Sequence, residues 1–257
     1  MSDAITRSSR AYAESMTPTT TSTALARAAA RGGHPAVTWY GPGGDRVELS
    51  GAVLVNWVTK TTNLLVEELD AGPGSILVLD LPPHWRSVVW ALAAWRAGAS
   101  VAIGAPASDD ATRIVVTDRP ESHPQARDLV VVTLGALARR YPGELPAGAV
   151  DAASAVMMYS DALGWVPPTE PASLALEGRD RVDHATLAEW ADGASIPAGH
   201  RVALPADDLE DLLRAALAAL RSDTSLVLLS PEMRAELDAD PERKARMLAS
   251  ERVDAEG

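Results

Sequence analysis

The stretch ILVLDLPPHWRSVVWALAAWRAGASVAI (residues 76–103) decides the fold. Its opening, 76–81, is a mostly apolar run of strand length, which suits a strand covered on both faces. Pro82-Pro83 stops the strand, and Pro83 is suited to a first helical turn. A helix rich in alanine and tryptophan follows over 84–97 and closes at Gly98, a residue type that accepts the left-handed C-cap. SVAIG (100–104) then reads as a second strand. Strand, helix and strand in immediate succession form a βαβ unit, whose strands lie parallel.

The same alternation extends outward. Ser50 is a suitable N-cap for a helix over 51–69. Leu54, Trp57, Val58, Thr61, Leu64, Leu65 and Leu69 line one face of it at helical spacing, and AGPG (71–74) breaks it. AVTWY (36–40) and RVEL (46–49) flank the Gly-rich GPGGD as a hairpin. A helix at about 22–31 is closed by Gly32-Gly33, and residues 1–21 read as a flexible arm. Downstream, RIVVTD (113–118) and DLVVV (128–132) are further strands. The expected class is α/β with mainly parallel sheets.

Composition excludes several function classes. The chain has no cysteine, which removes disulfides, thiolate nucleophiles and cysteine-bound metals. Its net charge of −12 argues against nucleic acid and anionic membranes as partners. No apolar run approaches the roughly 18 residues of a membrane span. The polar start MSDAITRSSR is unlike a signal peptide, so a cytoplasmic location is expected. Lysine is confined to Lys60 and Lys244, so any lysine-dependent chemistry has two possible positions. Scarce Lys and Phe beside abundant Ala, Arg, Gly and Pro point to GC-rich coding.

An internal repeat is visible. ALAAWRAGASVAI (91–103) aligns without a gap to ALAALRSDTSLVL (216–228), an offset of 125 residues (216 − 91). Gly74 and Leu79 meet Gly199 and Leu204 at that offset. Upstream, SGAVLVNW (50–57) meets DHATLAEW (183–190), pairing the cap types Ser50 and Asp183, and Trp57 with Trp190. PAVTWY (35–40) is set against PASLAL (171–176). Two repeat-related α/β subdomains are therefore expected, at 22–144 and 171–257, joined by a connector at 145–170. Such halves place ligand clefts at their junction or beyond the strand ends.

Residues 49–103 resemble the opening of the adenylate-forming superfamily, which includes acyl-CoA synthetases and peptide-synthetase adenylation domains. GPGS (72–75) matches that family's GxGD-like turn, and LPPHW (81–85) occupies its turn after the strand. The family also has two similar subdomains in its N-terminal part. Its ATP site uses a Ser/Thr/Gly loop followed by proline and lysine, whose backbone N–H groups face phosphate. The matching region here is SLALEGRDRVDHATLAEW (173–190). Only Gly178, Arg179 and His184 match the tail of that motif, and the Ser/Thr/Gly run and the lysine are missing. Asp207 and Asp208 stand where the family has an aromatic residue and a histidine. ERVDAEG (251–257) resembles the segment before the family's adenine-binding strands. The sequence is identified with a short actinobacterial family that resembles a truncated adenylate-forming enzyme without its phosphate loop.

Other constellations are weaker. His34, His84, His123, His184 and His200 show no metal-ligand spacing, no GxSxG elbow is present, and GPGG (41–44) sits in a hairpin. The candidate ligand-binding residues are His84, Trp85, Trp165, Gly178 and Arg179. Trp85 could stack on a flat ligand at a strand end or fill the subdomain boundary. Trp165, in the connector, could cover a cleft or plug it. Arg179 could hold an anion or belong to a solvated turn. No catalytic residue, metal or cofactor is expected, although the resemblance leaves ATP or AMP open. The resemblance implies a degenerate, non-catalytic relative acting by binding or assembly. The alternatives are a small-molecule binder or residual ligase with a pocket between the subdomains, and a homodimeric scaffold.

Overall fold

The computed structural model describes residues 18–104, 113–136, 138–197 and 199–257. Most of the expected arm, residues 1–17, lies outside the described residues. The first helix begins inside that expected arm: α1 (Thr20–Ala30) is capped by Thr19, whose hydroxyl accepts from the Ser22 amide. The chain continues through β1 (Pro35–Tyr40), β2 (Arg46–Ser50), α2 (Gly51–Leu69), β3 (Ile76–Asp80), α3 (Trp85–Ala97), β4 (Ser100–Ile103), β5 (Arg113–Thr117) and β6 (Asp128–Val131). Then come β7 (Val150–Asp151), α4 (Ala152–Met158), β8 (Leu174–Glu177), β9 (Arg181–Asp183) and α5 (Leu187–Asp192). The last elements are β10 (Arg201–Pro205), α6 (Leu209–Ser222), β11 (Ser225–Leu229), α7 (Pro231–Ala239), α8 (Pro241–Ser250) and β12 (Ala255–Glu256).

Ser50 caps α2 as expected, its hydroxyl accepting from the Val53 amide. Gly51 follows because α1 crosses there. A Cβ on it would fall 1.9 Å from the Ala28 carbonyl oxygen. Pro83 is not in a first helical turn: His84 is the N-cap of α3, and the helix starts one residue later.

Two sheets form, with strand orders β12-β10-β11-β1-β2 and β7-β6-β5-β3-β4-β8-β9. All neighbours pair parallel except the hairpins β1–β2 and β8–β9. The sheets do not follow the division of the chain at the connector. The β1–β2 hairpin, from the front, extends the sheet of β10 and β11, while β8–β9, from the back, extends the sheet of β3 and β4.

This exchange obeys the repeat to the residue. Ile76 pairs with Ser100, and Arg201 pairs with Ser225, each member shifted by 125 (201 − 76). Val101 pairs with Leu176, and its image Leu226 pairs with Val37. The C-cap of α3, Gly98, and its image Asp223 at the end of α6 both adopt the left-handed conformation. One detail of the repeat alignment is corrected. Pro35 pairs with Ser50 as Leu174 pairs with Asp183. The counterpart of Pro35 is therefore Leu174, not Pro171. The longer first hairpin turn absorbed the difference.

Alternation along the strands sets the layers. Leu77, Leu79, Val101, Val116 and Leu176 of one sheet, and Val37, Val202, Leu204, Leu226 and Leu228 of the other, share one core with α1, α2, α3 and α6. The intervening residues Val78, Val115 and Val131 face a second cluster. Ala203, Val227 and Leu229 pack on Met233 and Leu237 of α7. The helices α1, α2, α3 and α6 thus lie between the two sheets, and α3 packs on its repeat image α6. Among the described residues, no helix is long and apolar enough to cross a membrane.

Candidate functional site

Gly178 and Arg179 form the turn of the β8–β9 hairpin, closed by the Gly178 amide donating to the Asp180 carbonyl at 2.9 Å. The next two amides share one acceptor. The amides of Arg179 and Asp180 donate to the two carboxylate oxygens of Glu210, at 2.6 and 3.1 Å. Glu210 comes from the first turn of α6 and is only 2% exposed. Successive backbone N–H groups in a turn make an anion cradle, and here the anion belongs to the chain itself.

Glycine at 178 permits this approach. A Cβ there would lie 2.3 Å from Glu210 Oε2. Arg179 adds charge from outside. Its guanidinium reaches Asp211 at 2.5 Å, Asp208 at 3.1 Å and Glu210 at 3.6 Å. The hydrogen bond to Asp211 leads in raising its pKa. Both readings of Arg179 thus meet: it sits on a solvated turn and holds anions, all of them intramolecular.

Removing the carboxylate should expose what it satisfies. We expect Glu210→Ala to cost about 1–3 kcal/mol, the penalty for orphaned donors, read by urea unfolding. Hydrogen exchange at the Arg179 and Asp180 amides should accelerate in step. Unchanged exchange at both amides would show that the cradle does not depend on Glu210.

His84 and Trp85 lie at the other βα junction, after β3. The His84 Nδ1 accepts from the Arg86 amide at 3.1 Å and caps α3. Its ring meets Trp39 edge-on, with centroids 4.8 Å apart. Burial, aided by the Arg86 charge, pushes its pKa down to about 3, so it is neutral at physiological pH. Trp85 is buried and packs edge-on against Trp57 at 5.6 Å. Both rings serve the core at this junction. Trp165 is 75% exposed and lines none of the described cavities. Its neighbour Gly164 is tied to α2 by donating to Asn63 Oδ1 at 2.9 Å. Among the described cavities, none is lined by members of more than one of these three groups.

Three groups escaped sequence reasoning. Glu210 has an ordinary local account in the sequence, a carboxylate in a first helical turn that favours the helix dipole. Arg86, the first charged residue of α3, is buried between aromatic rings. Asp80 ends β3 and meets His123 Nε2 at 2.7 Å and the Arg119 guanidinium at 2.8 Å. Burial raises the Asp80 carboxyl, but His123 and Arg119 together hold it below the ordinary range. Both lysines are engaged elsewhere: Lys60 donates to the Tyr159 carbonyl, and Lys244 pairs with Asp238 and Glu256. Among the described residues, no three His, Asp or Glu side chains gather as metal ligands.

The two-sheet arrangement is that of the N-terminal region of adenylate-forming acyl-CoA synthetases and ligases. The acyl-CoA synthetase of Brucella canis superposes with a TM-score of 0.62 at 17% identity, covering 87% of this chain and 50% of that one. Coronafacic acid ligase from Pectobacterium brasiliense gives 0.62 at 13% identity, over 90% of this chain and 48% of that one. The fatty acyl-adenylate ligase of L. pneumophila, solved with acyl adenylate and pyrophosphate, gives 0.62 at 13% identity, over 94% and 44%. The chain spans about half the length of these solved proteins. No protein-family model matches it. A TIGR03089 family protein of Mycobacterium tuberculosis is 32% identical over 229 residues, 85% of this chain and 89% of that protein. The chain belongs to the TIGR03089 family.

Proposed function

We propose that this protein is a non-catalytic relative of the adenylate-forming enzymes that acts by binding or assembly. The observation that carries the reading is the Glu210 carboxylate seated on the Arg179 and Asp180 amides. A triphosphate entering that turn would have to displace a buried carboxylate. It would then face Asp208 and Asp211, which already surround Arg179. Positioning and charge neutralisation dominate catalysis at phosphates, and the turn supplies three carboxylates where cations are needed. Calorimetry with ATP and magnesium should give no heat of binding, and an added acid substrate should release no pyrophosphate. Micromolar binding accompanied by pyrophosphate release would overturn the reading.

Assembly is favoured by one surface feature. Met157, Met158, Leu163 and Trp165 are exposed within a single short segment, Met158 to 86%. Clustered exposed apolar side chains mark interaction surfaces. Light scattering coupled to size exclusion distinguishes a homodimer from a monomer.

A further inference from the structure

The exchanged hairpin leaves β2 at the rim of its sheet, with no strand beyond it among the described residues. Antiparallel partners alternate between pairs that exchange backbone hydrogen bonds and pairs that do not. The Gly41 amide donates to the Asp45 carbonyl at 2.8 Å, which fixes the phase of that alternation. Trp39–Val47 and Val37–Leu49 are then the bonded pairs, and Tyr40–Arg46 and Thr38–Glu48 the non-bonded ones. The N–H and C=O groups of Arg46 and Glu48 therefore point out of the sheet edge. No hydrogen bond from a described residue beyond the strand meets them there.

Charge on an open edge ordinarily keeps other strands away. Here the two signs alternate, and their order selects one partner. Arg46 and Glu48 stand two residues apart, so their side chains share a face, and they are 41% and 37% exposed. Lay a second copy antiparallel, about a two-fold axis at Val47. Arg46 of each copy then faces Glu48 of the other, and each such pair exchanges backbone bonds across the edge. Opposite charges directly across two strands stabilise the pairing. Val47 is half-buried. On the other face of the sheet it meets its own counterpart, at the close spacing of a non-bonded pair. Moving the axis to Arg46 or Glu48 sets like charges opposite each other, which is unfavourable. The image hairpin ends in β9 with Arg181 and Asp183 in the same order of signs. Its middle residue, Val182, is already buried, and β9 has three residues against five in β2.

We propose that β2 is a self-association edge, through which two copies of this chain join their sheets by antiparallel β2–β2 pairing centred on Val47. The proposal rests on the assembly reading above and names its partner and surface. A dimer that also binds ATP would sink the non-catalytic reading alone, and a monomer that binds no ATP would sink this proposal alone. So short a contact buries less than the roughly 1,000 Å² of a stable interface. The expected dissociation constant is therefore weak, about 10–100 μM.

Sedimentation velocity of the full chain, from about 5 μM to about 1 mM, should show a monomer–dimer equilibrium. The chain has no cysteine, so a Val47→Cys variant carries a single thiol. Cα atoms of a non-bonded antiparallel pair lie about 4.5 Å apart, within the span of a disulfide. Mild oxidation should link Val47→Cys into a dimer and leave Val182→Cys monomeric. Glu48→Arg sets like charges opposite each other. It should raise the dissociation constant about tenfold and stop the Val47→Cys cross-link. Should Val47→Cys fail to fold, the dissociation constant of Glu48→Arg decides. A chain that stays monomeric up to about 1 mM overturns the proposal. So does a dimer that Glu48→Arg leaves unchanged, because its contact would then lie elsewhere, as at Met158 and Trp165. A cross-link at Val182→Cys in place of Val47→Cys overturns it as well.

Discussion

Trp95→Ala should destabilise the protein by about 3–5 kcal/mol, the range for deleting a large aromatic side chain from a packed core. Trp95 is 1% exposed and is the largest fully buried side chain of the described residues. On α3 it is surrounded by Ala91, Ala93, Ala94 and Ala97, whose short side chains cannot fill the space it leaves. Its ring meets Trp190 edge-on at 6.1 Å. Its Nε1 donates to the Ala175 carbonyl at 2.7 Å. Ala175 belongs to β8 and Trp190 to α5, both from the back of the chain, whereas α3 belongs to the front. The side chain thus fastens the exchanged hairpin to the sheet it completes. Urea unfolding followed by far-UV circular dichroism measures the loss. Trp165→Ala, on the surface, should stay within about 0.5 kcal/mol of the parent. A loss below about 1 kcal/mol for Trp95→Ala would mean that the hairpin is held by its strand pairing and not by this contact.

The exchange that Trp95 secures also marks the limit of what the sequence could tell. The repeat was legible because βαβ units carry local signals: caps, left-handed helix ends and apolar strands in fixed order. The pairing of Val37 with Leu226 and of Val101 with Leu176 has no local signal. Each pair joins residues from opposite halves, and either hairpin would pattern the same way on its own half. Turn length hid the true counterpart of Pro35 for a similar reason, since a gap inside a turn leaves the flanking alternation intact. At the candidate site, Gly178 and Arg179 were legible through their resemblance to a phosphate loop. Glu210 was not, because a carboxylate in a first helical turn already has an ordinary explanation. Its reach back to the hairpin depends on how α6 packs beside β8–β9. The placement of Trp165 was not legible either: Asn63 of α2 holds the segment before it, through Ser160, Ala162 and Gly164, and that contact joins residues about a hundred positions apart.

Glu251→Gln should remove about 3 kcal/mol of stability at neutral pH, and the loss should disappear in acid. Glu251 follows α8, and its side chain is only 7% exposed. Its carboxylate accepts from Arg201 at 2.5 Å, Arg46 at 2.8 Å and the Tyr40 hydroxyl at 2.5 Å. Arg201 also donates to Thr38 and Ser225, so this one carboxylate links strands β1, β2, β10 and β11. Burial alone would push the carboxyl pKa up. The hydrogen bonds from Arg46, Tyr40 and Arg201 outweigh burial and bring it down to about 2 from 4.5. A carboxyl whose pKa is lower folded than unfolded stabilises the fold at pH values above its unfolded pKa. That stability drains away as pH falls from about 4.5 towards 2. Every tenfold weakening of proton binding on folding is worth about 1.4 kcal/mol, which sets the size of the expected loss. Glutamine keeps the shape and one acceptor but cannot carry the charge. Parent and variant should therefore differ by about 3 kcal/mol at pH 7 and converge as pH approaches 2. Urea midpoints measured at half-unit pH steps test the convergence. A gap that stayed constant down to about pH 2.5 would assign the loss to packing, and the buried carboxylate would then owe its position to shape and not to charge.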